Sequence, residues 1–141
     1  MLKKSQENEN AANMCMQNGL YNAGASRAYY SAFQLAKAFL VMCSFDYEKY
    51  LQGKSSNPEK DSFSHGTIVG ALKKCIKDNF PDTTQRAKIE NKMILMNQLY
   101  KNRRIADYEN TSISKTDLNI SLNALKEIKN SINALLPNPT V

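Results

Sequence analysis

The sequence predicts an all-α domain, an antiparallel up-down four-helix bundle with an additional short helix at the amino end. Three observations predict it. Apolar residues recur at three- and four-residue spacing along most of the chain, as one face of a helix requires. The apolar share of 42% is enough for a packed interior, while five Gly and four Pro are too few for a turn-rich sandwich. Helix starts and stops are written into the chain, and the segments between them are mostly short, which favours antiparallel neighbours. With 141 residues there is material for one core, so residues 1–141 read as a single domain with its core over about 11–136.

The first helix reads from Ala11, polar, with Ala12, Met16 and Leu20 on one side. The segment 21–42 is the densest: Ala25, Ala28, Tyr29, Ala32, Leu35, Ala36 and Phe39 recur at helical spacing and mark the central helix. Its four alanines admit neighbouring helices closely, and Arg27, Ser31 and Gln34 form a narrow polar strip. Over residues 44–63 the periodicity fails. Gly53-Lys54-Ser55-Ser56-Asn57-Pro58 is a breaker cluster behind Phe45, Tyr47 and Tyr50, so this stretch reads as a connecting loop with at most a short helical turn. A third helix starts near Ser64, turns Ile68, Leu72, Cys75 and Ile76 inward, and stops before Phe80-Pro81, where proline cannot continue it. The fourth, over 84–108, carries Ile89, Met93, Met96 and Tyr100 on a stripe that runs on into Arg103, Arg104 and Asp107. Ser114-x-x-Asp117 resembles a capping box and opens the last helix, whose Leu118, Leu122, Leu125, Ile128, Ile132 and Leu135 share a face before Pro137 and Pro139 end it.

A net charge of +6 and a pI near 9.2 favour an acidic partner, since a basic surface gains by releasing the counterions of nucleic acid. The charge is spread, at +1 over residues 1–50, +3 over 51–100 and +2 over 101–141, so no segment is a dedicated basic arm, and a lysine-coated surface explains the total equally well. The three cysteines, Cys15, Cys43 and Cys75, form no C-x-x-C pair and read as reduced thiols, which fits a cytoplasmic setting. The amino end turns polar after two lysines, unlike a secretory leader, and residues 28–43 are too short and too polar to span a bilayer.

Gly53-Lys54-Ser55 lacks the earlier glycine of a phosphate loop, Glu48 standing in its place, and reads as a turn. One histidine, His65, excludes mechanisms built on paired histidines; it can serve as a lone acid or base or simply bond at a helix start. Asp107 and Glu109, two residues apart, point away from each other on a helix, and no convergent carboxylate set suggests a metal or another cofactor. The segment richest in usable chemistry is Tyr100 to Tyr108. There Arg103 faces Asp107 and Arg104 faces Tyr108 at i,i+4, concentrating guanidinium, carboxylate and phenol over two turns. Arginine suits phosphate because its fork donates two hydrogen bonds at once, although the same pairs can merely close a helix end. The candidate site therefore centres on this segment, with Arg103, Arg104, Asp107 and Tyr108 as its polar residues.

Ser26-Arg27-Ala28-Tyr29-Tyr30-Ser31-Ala32-Phe33 resembles the aromatic helix of HEPN domains, and Leu99-Tyr100 through Arg103, Arg104, Ala106, Asp107 and Tyr108 is similar to their late signature helix. His65-Gly66-Thr67-Ile68 sits where many members carry a His-containing helix start, and the resemblance covers roughly residues 20–135. It implies a helical bundle that forms a homodimer through its signature helices, in a toxin-antitoxin or defence setting, sometimes beside a small nucleotidyltransferase. Many members are metal-independent ribonucleases whose signature is an arginine followed four to six residues later by a histidine. Here Asp107, followed by Tyr108, occupies the histidine place. The resemblance thus implies one of two activities: RNA or nucleotide binding in a basic cleft, with Asn102, Arg103, Arg104 and Arg27 as the candidate binding residues, or RNA cleavage with Arg103, Arg104, Asp107 and Tyr108 as the candidate catalytic residues, in which Arg103 or Arg104 holds the phosphate and Tyr108 or Asp107 assists proton transfer. A plain helical dimerisation scaffold is the third reading, and it predicts both arginines locked in salt bridges with no open cleft.

Overall fold

A computed structural model of the chain describes residues 2–54 and 64–135, and the described chain is all helical. The helices are α1 (Leu2–Gln17), α2 (Tyr21–Met42), α3 (Tyr47–Lys54), α4 (His65–Asn79), α5 (Thr83–Met93), α6 (Leu95–Tyr108) and α7 (Lys115–Leu135). Ser55 to Pro58 of the breaker cluster, Pro137, Pro139 and the Leu135 side chain lie outside the described residues. Among the described residues no helix is long and apolar enough to cross a membrane.

α2 is the centre of the packing, touching α1, α4, α6 and α7. Its small residues make this crowding feasible: Ala25, Ala28, Ala32 and Ala36 are all buried, and a Cβ at Gly24 would stand 2.6 Å from Leu118 Cδ2 and 3.2 Å from Cys15 Cβ. Around that axis Leu35, Phe39, Leu72, Ile76, Met96 and Ile128 are fully enclosed, so the apolar faces read from the periodicity meet in one core. All three cysteines are free thiols, and burial pushes the Cys75 thiol up to about 12, well away from reactivity.

α1 begins at Leu2 rather than near Ala11. Its first turns carry no apolar stripe to read, because they are held by a polar clasp. Ser5 Oγ donates to the Ser31 carbonyl at 2.8 Å, and Ser31 Oγ donates to the Ser5 carbonyl at 2.7 Å. Both serines are buried, so Ser31 belongs to a helix interface and not to an open polar strip with Arg27. The region expected as a loop contains the eight-residue α3, opened by Asp46 Oδ1 accepting from Lys49 N–H and pinned by the buried Leu51. The single helix expected over 84–108 is two. Between α5 and α6 the Asn97 N–H donates to the Ile94 carbonyl at 2.9 Å, a tighter three-residue closure that leaves Ile94 exposed.

The helix starts expected near Ser64 and at Ser114 are both capped, and Asp82 caps α5. Ser64 Oγ accepts from Thr67 N–H, and Asp82 Oδ1 accepts from Thr84 and Gln85 N–H. The Ser114 box closes both ways, Asp117 N–H donating to Ser114 Oγ at 3.1 Å and Ser114 N–H to Asp117 Oδ2 at 3.4 Å. Ser114→Ala is accordingly expected to cost about 1 kcal/mol in urea unfolding. A loss of stability within error of zero would show that α7 is held by its apolar face alone.

Candidate functional site

The end of α6, the middle of α2 and the first turn of α4 converge on Arg103. Their sequence explains the meeting: α2 presents Tyr29 and Tyr30 next to its alanine face, α6 presents Tyr100 one turn before Arg103, and the Ser64 cap fixes His65 at the start of α4. Arg103 Nε lies 3.0 Å from Asp107 Oδ2, one turn on along the same helix, as the i,i+4 spacing requires. The alignment is that of an ion pair rather than a hydrogen bond, for the buried Nε–H has no aligned acceptor. Nη2 donates to the Tyr30 hydroxyl at 2.9 Å and to the Tyr108 hydroxyl at 3.2 Å. The guanidinium carbon stands 5.8, 5.4 and 5.2 Å from the ring centres of Tyr29, Tyr30 and Tyr108, within cation–π range of all three. Burial pulls the Arg103 pKa down, but Tyr30, Tyr108 and Asp107 outweigh it and raise it, so the cation is permanent.

Asp107 accepts from Ser26 Oγ, whose single proton is shared between the two carboxylate oxygens at 3.0 Å each. It fastens α6 to α2 and fixes the arginine. Arg104 points to the neighbouring side, exposed, with Nη1 donating to the Tyr100 hydroxyl at 3.4 Å and no carboxylate partner among the described residues. Tyr108 is 65% exposed, with the guanidinium carbons of Arg103 and Arg104 at 5.2 and 5.5 Å from its ring centre.

His65 enters the same site, which its sequence position alone does not reveal. Its ring stacks on Tyr100 at 4.1 Å with only 6° between the planes. Nε2 lies 2.8 Å from Asn97 Oδ1, which can only accept; Nε2 therefore carries the proton and Nδ1 accepts from the Tyr29 hydroxyl at 3.2 Å. Burial lowers the His65 pKa, the Asn97 bond opposing it in part. Burial likewise pushes the Tyr29 phenol far up, against the pull of Arg103, so Tyr29 remains a donor. Tyr29, Tyr30, Phe33, His65, Tyr100 and Arg103 line a cavity of about 480 Å³, with Gln34 and Lys37 at its edge. Among the described residues no three His, Cys, Asp or Glu side chains converge, and the polar groups that line this cavity include guanidinium, phenol and imidazole.

Of the four residues assigned to binding from the sequence only Arg103 lines the cavity; Arg104, like Asp107 and Tyr108, lies beside it, and Asn102 and Arg27 stand elsewhere. Asn102 is buried and turned into the bundle, its Nδ2 donating to the Asp117 carbonyl at 3.1 Å and to Ser121 Oγ at 2.8 Å. One residue before Arg103 on a helix is about 100° away, which puts it on the core side. Arg27 is exposed on the α1 side of α2, where Nη1 donates to Asn8 Oδ1 at 3.3 Å, and it does not line the cavity. In return the structure adds Tyr29, Tyr30, Tyr100 and His65. The sequence signals for them were a run of aromatics on a small-residue helix and a histidine at a capped helix start.

The lowered pKa of His65 gives a signed pH dependence. The unfolded chain takes up a proton near pH 6.5 while the folded imidazole resists it, so the unfolded state binds more protons and stability falls on acidification from about pH 7 downward. Because the chain has one histidine, its ring proton signals give the titration directly, and the expected midpoint is below about 6.5. A midpoint above that value would mean the ring is stabilised as a cation, most directly by a carboxylate the folded site does not place beside it.

Compared with known proteins, the chain matches no family model, and no curated protein or solved structure is significantly similar to it.

Proposed function

We propose that this chain is a HEPN-like helical protein that binds single-stranded RNA or a nucleotide in the cleft between α2, α4 and α6, with Arg103 as the phosphate anchor. The observation that carries the proposal is the state of the two arginines. Nη2 of Arg103 is held only by tyrosine hydroxyls at the edge of an open cavity, and Arg104 beside it has no carboxylate partner among the described residues. Phosphate oxygens can take the place of those hydroxyls, and charge-assisted bonds to phosphate are roughly twice as strong as neutral ones. Tyr30 and Tyr108, both exposed, supply faces on which bases stack. A scaffold with both arginines locked in salt bridges and no cleft accords less well with this geometry.

The test is fluorescence anisotropy with a labelled mixed-sequence single-stranded RNA, and with ATP as competitor, in EDTA across a salt series. Two phosphate contacts predict a slope of about −1.4 in log K against log salt, close to a sevenfold loss between about 50 and 200 mM. Failure of both probes to bind at the lower salt would sink the proposal.

RNA cleavage without metal is the second reading, and one observation favours it: His65 lines the cavity that Arg103 lines, and Tyr29 touches both. A neutral imidazole is the form that accepts a proton, whereas Asp107 is engaged by Ser26 and Arg103. Cleavage in EDTA by the wild type that is lost in His65→Gln would replace binding by nuclease activity as the function. The HEPN resemblance further supports a four-helix arrangement of α2, α4, α5–α6 and α7 with α1 added. It also supports a homodimer through α6, a cytoplasmic toxin-antitoxin or defence setting, and a small nucleotidyltransferase as partner.

A further inference from the structure

Of the polar residues Arg27, Ser31 and Gln34 along α2, only Gln34 reaches the cleft. Arg27 bonds to Asn8 of α1 and Ser31 is clasped to Ser5, whereas Gln34 lines the cavity together with Arg103. It is half-buried, and its side-chain amide makes no hydrogen bond among the described residues. The other polar side chains around this cavity are engaged. Tyr29 and His65 bond to each other, and His65 bonds on to Asn97. The hydroxyls of Tyr30 and Tyr100 accept from Arg103 and Arg104, Ser64 caps α4, and the Lys37 ammonium lies 5.7 Å from the Phe33 ring centre. Among the described residues of this wall, the Gln34 amide is therefore the neutral group that offers a donor and an acceptor side by side with neither engaged.

Gln34 follows Tyr30 by one helical turn, so the two share a face of α2 about 6 Å apart along its axis. Arg103 Nη2 is 2.9 Å from the Tyr30 hydroxyl, so this turn of helix separates the cationic end of the cavity from the amide end. A 5′-nucleotide has the same order, with a ribose between its phosphate and its base. Tyr29 and Phe33, both nearly enclosed, make the wall beside the amide aromatic, as a base requires. A glutamine amide matches a base edge that presents a donor next to an acceptor. Adenine presents that edge twice, as N6 with N7 and as N6 with N1, whereas the N7 and O6 of guanine are both acceptors. From this geometry we infer that Gln34 reads the base of the ligand and selects adenine, with Arg103 holding the phosphate; the inference rests on the proposed binding of RNA or a nucleotide in this cleft.

The experiment is competition against the labelled mixed-sequence RNA, in EDTA, on the full chain. The competitors are ATP, GTP, CTP, UTP and purine riboside triphosphate, which is ATP without the N6 amino group; the proteins are the wild type and Gln34→Ala. On the wild type ATP is expected to compete at least about fivefold better than the other four, the discrimination of one bidentate pair. On Gln34→Ala all five should compete within about twofold of one another, because the variant keeps the phosphate anchor and loses the base contact. Purine riboside triphosphate tests the same contact from the ligand side, on the wild-type protein. Equal competition by all five on the wild type, or preference for another base, overturns the inference and leaves the Arg103 anchor standing. A preference for ATP that persists in Gln34→Ala, or that purine riboside triphosphate shares, overturns it too. If neither RNA nor any nucleotide binds, the reading of the cleft fails and the inference with it.

Discussion

Arg103→Ala is expected to weaken RNA or nucleotide binding by at least about tenfold while lowering stability by only about 1 kcal/mol. The asymmetry follows from the surroundings of the side chain. Its charge is balanced by a single carboxylate that is itself 30% exposed, and solvent discounts what that pair contributes. The groups freed by the substitution, the hydroxyls of Tyr30 and Tyr108, are on exposed residues and can turn to water, so no buried donor is orphaned. A bound phosphate has no such substitute for the fork. Arg103→Lys discriminates further, because a lysine keeps the charge but cannot hold both tyrosine hydroxyls in one plane; it should recover only part of the affinity. Parallel anisotropy and thermal-unfolding measurements check both halves. Equal binding by wild type and Arg103→Ala would remove Arg103 as the anchor, whatever the stability data say.

The reverse pattern is expected at the preceding residue. Asn102→Ala should cost about 2–3 kcal/mol, a fall of roughly 6–12 °C in Tm, and leave ligand binding at the wild-type level once the protein is folded. Asn102 is 3% exposed and bridges α6 to the first turns of α7, donating to the Asp117 carbonyl and to a Ser121 hydroxyl that is itself fully enclosed. Truncation strands Ser121 Oγ without that donor and opens a small void, and neither loss can be repaired by water in a closed interface. If binding instead falls in step with an unchanged Tm, Asn102 contacts the ligand and α6 must rotate when the cleft is occupied.

The all-helical class, the order of the main helices, the stop at Phe80-Pro81 and the start at Ser114-x-x-Asp117 were determined by the sequence alone. Helical periodicity, capping and proline are local in origin, and a reader of residues can recover them without knowing what packs where. The prominence of Arg103 and Asp107 was legible for the same reason, since their i,i+4 pairing is a property of one helix. Only the tertiary structure decided which side chains join them. His65 lies 38 positions before Arg103 in the chain and reaches the same cavity because α4 starts beside α2 and α6. Asn102 was expected at the binding site together with Arg103, because both are polar and adjacent, and only the direction of the core separates an interior bridge from a side chain that lines the cavity. The early start of α1 leaves no trace in the periodicity because reciprocal serine bonds, rather than an apolar stripe, hold its first turns. Contacts between distant segments leave no periodic trace in either partner, so they had to be seen in three dimensions.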